Sequence, residues 1–309
     1  MIGLALRRSA LIPLVLLVAS AVVFCLSRLL GGNVTRSVIR SRSLASAPDP
    51  AAEARLAAEL GLDRPLRDQY LAWLAGAVRG DLGRSFTTRA AVGPEVLGAA
   101  GVSATLAILG LAVALAVAVP AGVLAADRPG GAGDRAVDRL GAVVLAVPEF
   151  VVGPVLVLVV AVWAGWLPAL GWGTPAQAVL PVVTLAFFPA ALAARLVRAE
   201  TRVALAHPST TTAVAKGLTR RRVLAVHVLP RSLTAVLAEA GPFLAGTLGG
   251  AVVVEVVFDV PGLGRLLADA IGSRDLPTIQ AGLVVVLAVA LVLTLATELL
   301  GRALDPRLR

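Results

Sequence analysis

Six stretches of this chain, at 9–30, 101–126, 138–164, 178–198, 232–257 and 280–300, run on with very few charged residues. A helix needs about 20 mostly apolar residues to cross a hydrocarbon core about 30 Å thick, and each stretch is long enough. A water-soluble chain of 309 residues has too little interior to hide side chains that are 58% hydrophobic. The mean hydropathy, +0.89, points the same way. The expected fold class is therefore an all-α polytopic membrane protein with six transmembrane helices. The first run, LIPLVLLVASAVVFCL after Arg7 and Arg8, is longer than the apolar part of a secretory signal and lacks a small-residue cleavage site directly behind it. It is read as a retained membrane helix.

Three segments follow from this pattern: an N-terminus and first span at 1–30, an extracytoplasmic subdomain at 31–100, and a transmembrane core at 101–309. The middle segment holds seven of the 19 acidic residues and the run DRPLRDQYLAWLAGAVRGDLGRSF. Tyr70, Leu71, Leu74 and Val78 recur there at helical spacing, so a small helical insert ending near Gly80 is expected. Orientation follows from the basic residues of the short loops. One side collects Arg7, Arg8, Arg128, Arg135, Arg139, Arg195, Arg198, Arg202, Lys216, Arg220, Arg221, Arg222, Arg231, Arg302, Arg307 and Arg309. The other has only Arg265 and Arg274 outside the long segment. Both termini are thus expected in the cytoplasm, which also explains the net charge of +9. No aromatic-interleaved basic face suggests nucleic acid.

Within the cytoplasmic side lies a polar insert, 199–231, containing TTAVAKGLTRRRVLAVHVLP and the only lysine. Pro208, Ser209, Thr210 and Thr211 form a helix-start signature, and Gly217 allows a sharp turn. A second helix carrying Val223, Leu224, Val226 and Val228 leads to Pro230. Such an element reads either as a docking helix for a soluble partner or as a charged connector.

The insert resembles the cytoplasmic signature of the permease subunits of ATP-binding-cassette importers: Glu-Ala-Ala, three residues, Gly, nine residues, Ile, one residue, Leu-Pro. The signature falls on Thr211, Thr212, Ala213, Gly217, His227, Leu229 and Pro230, with Ala, Gly, Leu and Pro matching and Lys216 just before the glycine. DRPLRDQYLAWLAGAVRGDLGRSF, VPEFVVG, GGAVVVEVVFDVPGLGRLLADAI and LDPRLR are similar, in the same order, to the peptide and nickel branch of that family. The outer end of the first helix (GGNVTR) and the docking helix (PSTTTAVAKG) depart from the family's usual residues. The resemblance implies the ABC importer permease fold, with 199–231 as the loop that couples to ATPase subunits. It also implies a periplasmic gate element at Phe258, Pro261, Gly262 and Gly264. The implied partners are a second homologous permease, two ATPases, an extracytoplasmic solute-binding protein and membrane lipid. The implied location is the bacterial cytoplasmic membrane. Peptides are the implied cargo, with nickel or another solute as the alternative within the branch and a non-transporting scaffold as the alternative outside it.

The chain is expected not to be an enzyme. A phosphate-cradling loop needs Gly-Lys-Ser/Thr, whereas Lys216 sits between Ala215 and Gly217, so ATP and magnesium are expected on the partner ATPases and no cofactor on this chain. No metal site is expected, since His207 and His227 have no neighbours at ligand spacing. The sharpest polar signal is intramembrane carboxylate, which is costly in lipid. Glu149, behind Pro148, and Glu239, ahead of Gly241-Pro242, are candidates for a translocation pathway or for a structural or subunit contact. Glu255 and Glu298, nearer membrane ends, are expected to be solvated or paired at an interface. Ala245, Gly246, Gly249 and Gly250 are expected to allow close helix packing.

Overall fold

The computed structural model describes residues 2–30 and 50–304, with the side chains of 2–10, 27–30, 50, 52, 56, 149, 235, 237, 238 and 302–304 outside the description. The regular secondary structure of the described residues is helical, apart from one isolated bridge between Arg84 and Ala91, with turns and loops between the helices. In chain order the helices are α1 (Ile2–Leu30), α2 (Pro50–Glu59), α3 (Leu66–Val78), α4 (Val92–Asp127), α5 (Ala132–Ala146) and α6 (Glu149–Leu156). They continue with α7 (Pro175–Leu205), α8 (Pro208–Ala215), α9 (Arg220–Val223), α10 (Leu229–Val257), α11 (Leu263–Ser273) and α12 (Leu276–Leu304). π-helical stretches Val157–Trp163 and Leu224–Val228 extend α6 and α9.

Four described helical stretches are long and apolar enough to cross a membrane: Val92–Asp127, Pro175–Leu205, Glu239–Val257 and Leu276–Gly301. In α1 the described apolar part is Leu11–Leu26. The stretch expected as one straight span at 138–164 is instead a broken pair, Ala132–Ala146 and Phe150–Trp163, bent by 100°. The break falls at Val147-Pro148, where the residue before proline is driven from helical to extended backbone; Val147 has ψ 121° and Pro148 ψ 137°. The span expected at 101–126 begins earlier, at Val92. Its 36 residues make α4 about 54 Å long at 1.5 Å per residue, well beyond the bilayer core.

The chain divides into two compact units, 1–103 with 261–289, and 104–260 with 290–309. These boundaries differ from the expected segments, because 261–289 groups with the N-terminal unit while α4 and α12 each contribute to both. In the first unit, Val92, Val96, Ala99 and Ala100 of α4 pack with Leu263 and Ala281. Ser103, buried on α4, accepts a hydrogen bond from Leu263 N at 2.7 Å and so caps α11. The loop 84–91 is pinned by the buried Asp275, which accepts from Phe86 N and Thr278 Oγ1, both at 2.8 Å. The expected insert helix is α3, ending at Val78 with Gly80 in the left-handed region at φ 85°. Residues 31–49, the first part of the expected subdomain, lie outside the described residues.

In the second unit α7 is the central helix, packed by α10, α5 and α6. A capping box between Thr174 and Gln177, with Pro175 in the first turn, starts it. Close approach between helices is set at glycines. A Cβ added at Gly122 would lie 2.6 Å from Val197 Cβ and 2.7 Å from Ala194 O. One added at Gly241 of α10 would meet Thr297 Oγ1 of α12 at 2.8 Å. Gly246 and Gly249, by contrast, have nothing within 4 Å and are exposed beside Ala245, so they do not mediate packing within this chain. Glu255, expected near solvent or an interface, is fully buried in α10.

Candidate functional site

Residues 199–231 fold into a short arm built on the ends of three long helices, α7, α4 and α10. His207 starts α8 as its N-cap, Nδ1 accepting from Ser209 N at 3.2 Å, with Pro208 in the first turn. At the other end, Gly217 N donates to Val214 O at 2.9 Å and Leu218 N to Ala213 O at 3.3 Å. That pair of bonds is the Schellman cap, which places its C′ residue in the left-handed region and brings the next residue against the last turn. Gly217 has φ 79°, and Leu218 packs on the cluster of Ala204, Ala213, Val223 and Val228. The spacing of Ala213 and Gly217 in the signature is therefore that of the third residue from the helix end to the glycine beyond it.

The arm is tied down at two further places. Thr210, buried on α8, donates from Oγ1 to Ala204 O near the end of α7 at 2.8 Å. Arg220 of α9 meets Asp127, the last residue of α4, through Nε at 2.7 Å and Nη2 at 2.6 Å. The π-helical stretch after α9 then runs directly into α10, where Ser232 and Thr201 join α10 to α7 through their hydroxyls at 3.1 Å. The arm is thus tied to α4, α7 and α10 together.

The signature residues divide between two faces. Ala213 is buried at 4% exposure against the arm's own cluster. Thr211, Thr212, Val214, Ala215, Lys216 and Gly217 are exposed. His227 and Leu229 are half-buried at the junction with α10, and Pro230 is exposed in its first turn.

Beside the arm lies a clamp that sequence reasoning missed. Asp134, buried in the first turn of α5, accepts from Gly130 N at 2.7 Å, from Arg198 Nε, and from Arg202 Nη2 at 2.6 Å. It holds the α4–α5 turn to α7. Only its position four residues past Gly130 and its first-turn placement marked it in the sequence, and neither singles out one aspartate among several.

The other expected residues are dispersed. Glu239 is exposed on α10, and Glu149 begins α6 with its side chain outside the described residues. Phe258 is buried in the second unit, where its carbonyl accepts from Gly171 N at 2.8 Å. Pro261, Gly262 and Gly264 belong to the first unit, the two glycines buried. Pro261 and Gly262 border a recess of about 280 Å³ with Glu95, Arg265 and Asp269. Among the described residues no group of three His, Cys, Asp or Glu side chains is arranged to hold a metal ion.

Comparison with known proteins agrees with this architecture. Residues 118–309 match the family described as binding-protein-dependent transport system inner membrane component. A probable peptide ABC transporter permease protein of Sinorhizobium fredii is 35% identical over 264 residues, covering 83% of this chain and 84% of that one. The dipeptide transport system permease protein DppB of Escherichia coli is 30% identical over 340 residues, covering 100% and 99%. Among solved structures, an inward-facing form of the MetNI methionine ABC transporter shares the fold. Its TM-score is 0.56, with 19% identity over 68% of this chain and 96% of that one. An amino acid ABC transporter gives a TM-score of 0.50 at 19% identity, over 69% and 94%. This multi-pass membrane chain belongs to the binding-protein-dependent transport system inner membrane component family, as a permease of the ABC transporter type.

Proposed function

We propose that the chain is one of two permease subunits forming the translocation pathway of an ATP-driven peptide importer in a bacterial cytoplasmic membrane. Six crossings are assigned: α1, α4, the bent α5–α6 pair, α7, α10 and α12. Both termini and the 199–231 arm face the cytoplasm. The partners are a homologous permease, two ATPases that bind ATP and magnesium, and an extracytoplasmic solute-binding protein. The observation that supports the reading best is the arm itself. A two-turn helix is marginal alone, yet α8 is fixed by a Schellman cap and a buried threonine, and the α9 that follows it by an arginine–aspartate bridge. It presents an outward face of Thr211, Thr212, Ala215 and Lys216. A lever between two subunits needs that rigidity, since only a link held in discrete arrangements passes a closure of one subunit to another.

A single-cysteine series on a Cys25→Ser background tests both topology and docking. Ala90→Cys is expected to react with an impermeant maleimide on intact cells. Thr212→Cys and Thr219→Cys should react only after permeabilisation, and Thr212→Cys should crosslink to the ATPase subunit. The buried Ala213→Cys should not crosslink. Labelling of Thr219→Cys from outside refutes the orientation, and absence of crosslinks from the outward face of α8 refutes the docking role.

Peptide as cargo rests on the relatives named for it. Glu239, a carboxylate exposed on α10, is proposed with Glu149 to line the pathway and meet the ammonium end of a passing peptide. An ionised carboxylate facing lipid is strongly disfavoured, so its exposure on the isolated chain calls for water or a partner. Glu239→Gln is expected to leave assembly and basal ATPase activity intact while lowering uptake, most for cationic peptides. Unchanged uptake across differently charged peptides removes Glu239 from the pathway.

A further inference from the structure

Within the segment expected as a small extracytoplasmic subdomain, α3 is docked along Leu17–Phe24 of α1. Tyr70 reaches it: its hydroxyl lies 2.9 Å from Ser20 Oγ and donates to Leu17 O at 3.3 Å. Ser20 also bonds Leu17 O, at 2.8 Å. The Phe24 ring meets Tyr70 edge-on at 5.4 Å between centroids, and Trp73 stacks on Tyr70 at 6.3 Å. Both hydroxyls are therefore satisfied within the pair of helices, as burial in hydrocarbon requires.

Depth follows from position on α1. Arg28 is the first charge beyond the apolar run. Phe24 and Ser20 lie four and eight residues before it, about 6 and 12 Å along the helix axis at 1.5 Å per residue. The Phe24 contact lies in the zone in which interfacial helices bury, about 5–10 Å into the boundary between headgroups and acyl chains, and the Tyr70 hydroxyl reaches below it to Ser20 and Leu17. Tyrosine and tryptophan are the side chains enriched there.

The composition of α3 fits the same zone. Residues 69–78, QYLAWLAGAV, carry no charge on any face, while Arg67 and Asp68 precede them and Arg79 and Asp81 follow. Tyr70, Trp73, Leu74 and Ala77 are partly buried on one side. On the other, Leu71 is 48% and Val78 82% exposed, with Ala75 between them. A helix in water keeps a polar outer face, and beyond the first turn, with its Arg67 and Asp68, the exposed side of this one has none. The exposed leucines and valines of α1 (Leu14, Val18, Val22, Leu26) present the same apolar surface at the same level. Charged ends can reach the headgroups while the apolar body stays below.

We infer that α3 is an interfacial helix seated in the outer leaflet, with its Leu71–Val78 face against lipid acyl chains. The inference rests on α1 crossing the membrane as assigned above. It makes the insert a membrane-anchored platform beneath the extracytoplasmic loops.

The test places single nitroxide labels in the assembled complex, on a Cys25→Ser background, in liposomes of phosphatidylcholine and phosphatidylglycerol. Labels at Leu71→Cys and Val78→Cys are compared with Val18→Cys on α1 and Asp63→Cys in the exposed turn before α3. Collision rates with oxygen and with a water-soluble nickel chelate are read by electron paramagnetic resonance. The expected result is strong oxygen collision at Leu71 and Val78, with chelate collision lost to the level of Val18. Chelate access equal to that of Asp63 overturns the inference by placing α3 in water. Protection from both reagents also overturns it, since the face is then covered by protein, and a loss of oxygen access on adding the solute-binding protein would name that protein. Chelate access at Val18 overturns the spanning assignment of α1 and the inference with it. Lipid contact at Val18 but not at Val78 counts against α3 alone.

Discussion

Gly217→Val is expected to abolish transport and substrate-stimulated ATPase activity while the subunit still inserts and accumulates. At φ 79° the glycine occupies a region that costs an L-residue roughly 1–2 kcal/mol, and a β-branched side chain fits it worse still. The damage is conformational rather than steric, because a Cβ there has nothing within 4 Å. To relieve the strain the chain must leave the left-handed turn. Leu218 N then loses Ala213 O, Leu218 lifts from the cluster that holds Ala213, and α8 loses its C-terminal cap. Gly217→Asn is the control, since asparagine tolerates this region, and it should retain most activity. Equal loss in both variants would assign the effect to a contact made by the glycine with a partner. Full transport by Gly217→Val would leave the arm a mere connector.

Gly122→Leu is expected to have the largest effect on the fold itself, with the subunit failing to accumulate in the membrane. The first added carbon already collides with the Ala194 carbonyl, 2.7 Å away. Backbone cannot rotate aside as a side chain does, so α4 and α7 must separate. Overpacking a filled core costs typically about 1–3 kcal/mol and occasionally more. Gly122→Ala should therefore survive with a markedly lowered melting temperature in detergent. Gly98→Ala, on the same helix with nothing within 4 Å, should melt as the unmodified protein does. Normal melting of Gly122→Ala would show that α4 and α7 do not approach as closely as described.

Much of this protein was determined by local chemistry that one sequence displays. Apolar runs longer than a bilayer is thick leave a chain no other solvent, so helices at 229–257 and 276–304 were legible to within a few residues, while α7 continues to Leu205, past the end expected at 198. Pro208 and Gly217 bracket a helix because proline suits a first turn and glycine a left-handed end, and α8 lies between them. Packing decided the rest. Periodicity cannot tell that 138–164 breaks at Val147-Pro148, since a proline inside a membrane helix is often carried without a bend of this size. It cannot tell that Ala213 turns inward while Thr212 turns out, because α8 is small-sided on every face and is oriented by tertiary contacts, the Thr210 bond to Ala204 O and the packing of Ala213 and Leu218. Nor does it separate Gly122, which α7 crowds, from Gly246, which nothing in this chain touches. Asp134 and Tyr70 were equally hidden: each acts through partners 64 and 50 residues away. Those partners are brought near only when helices pack, so the clamp on α7 and the seating of α3 on α1 are properties of the tertiary structure.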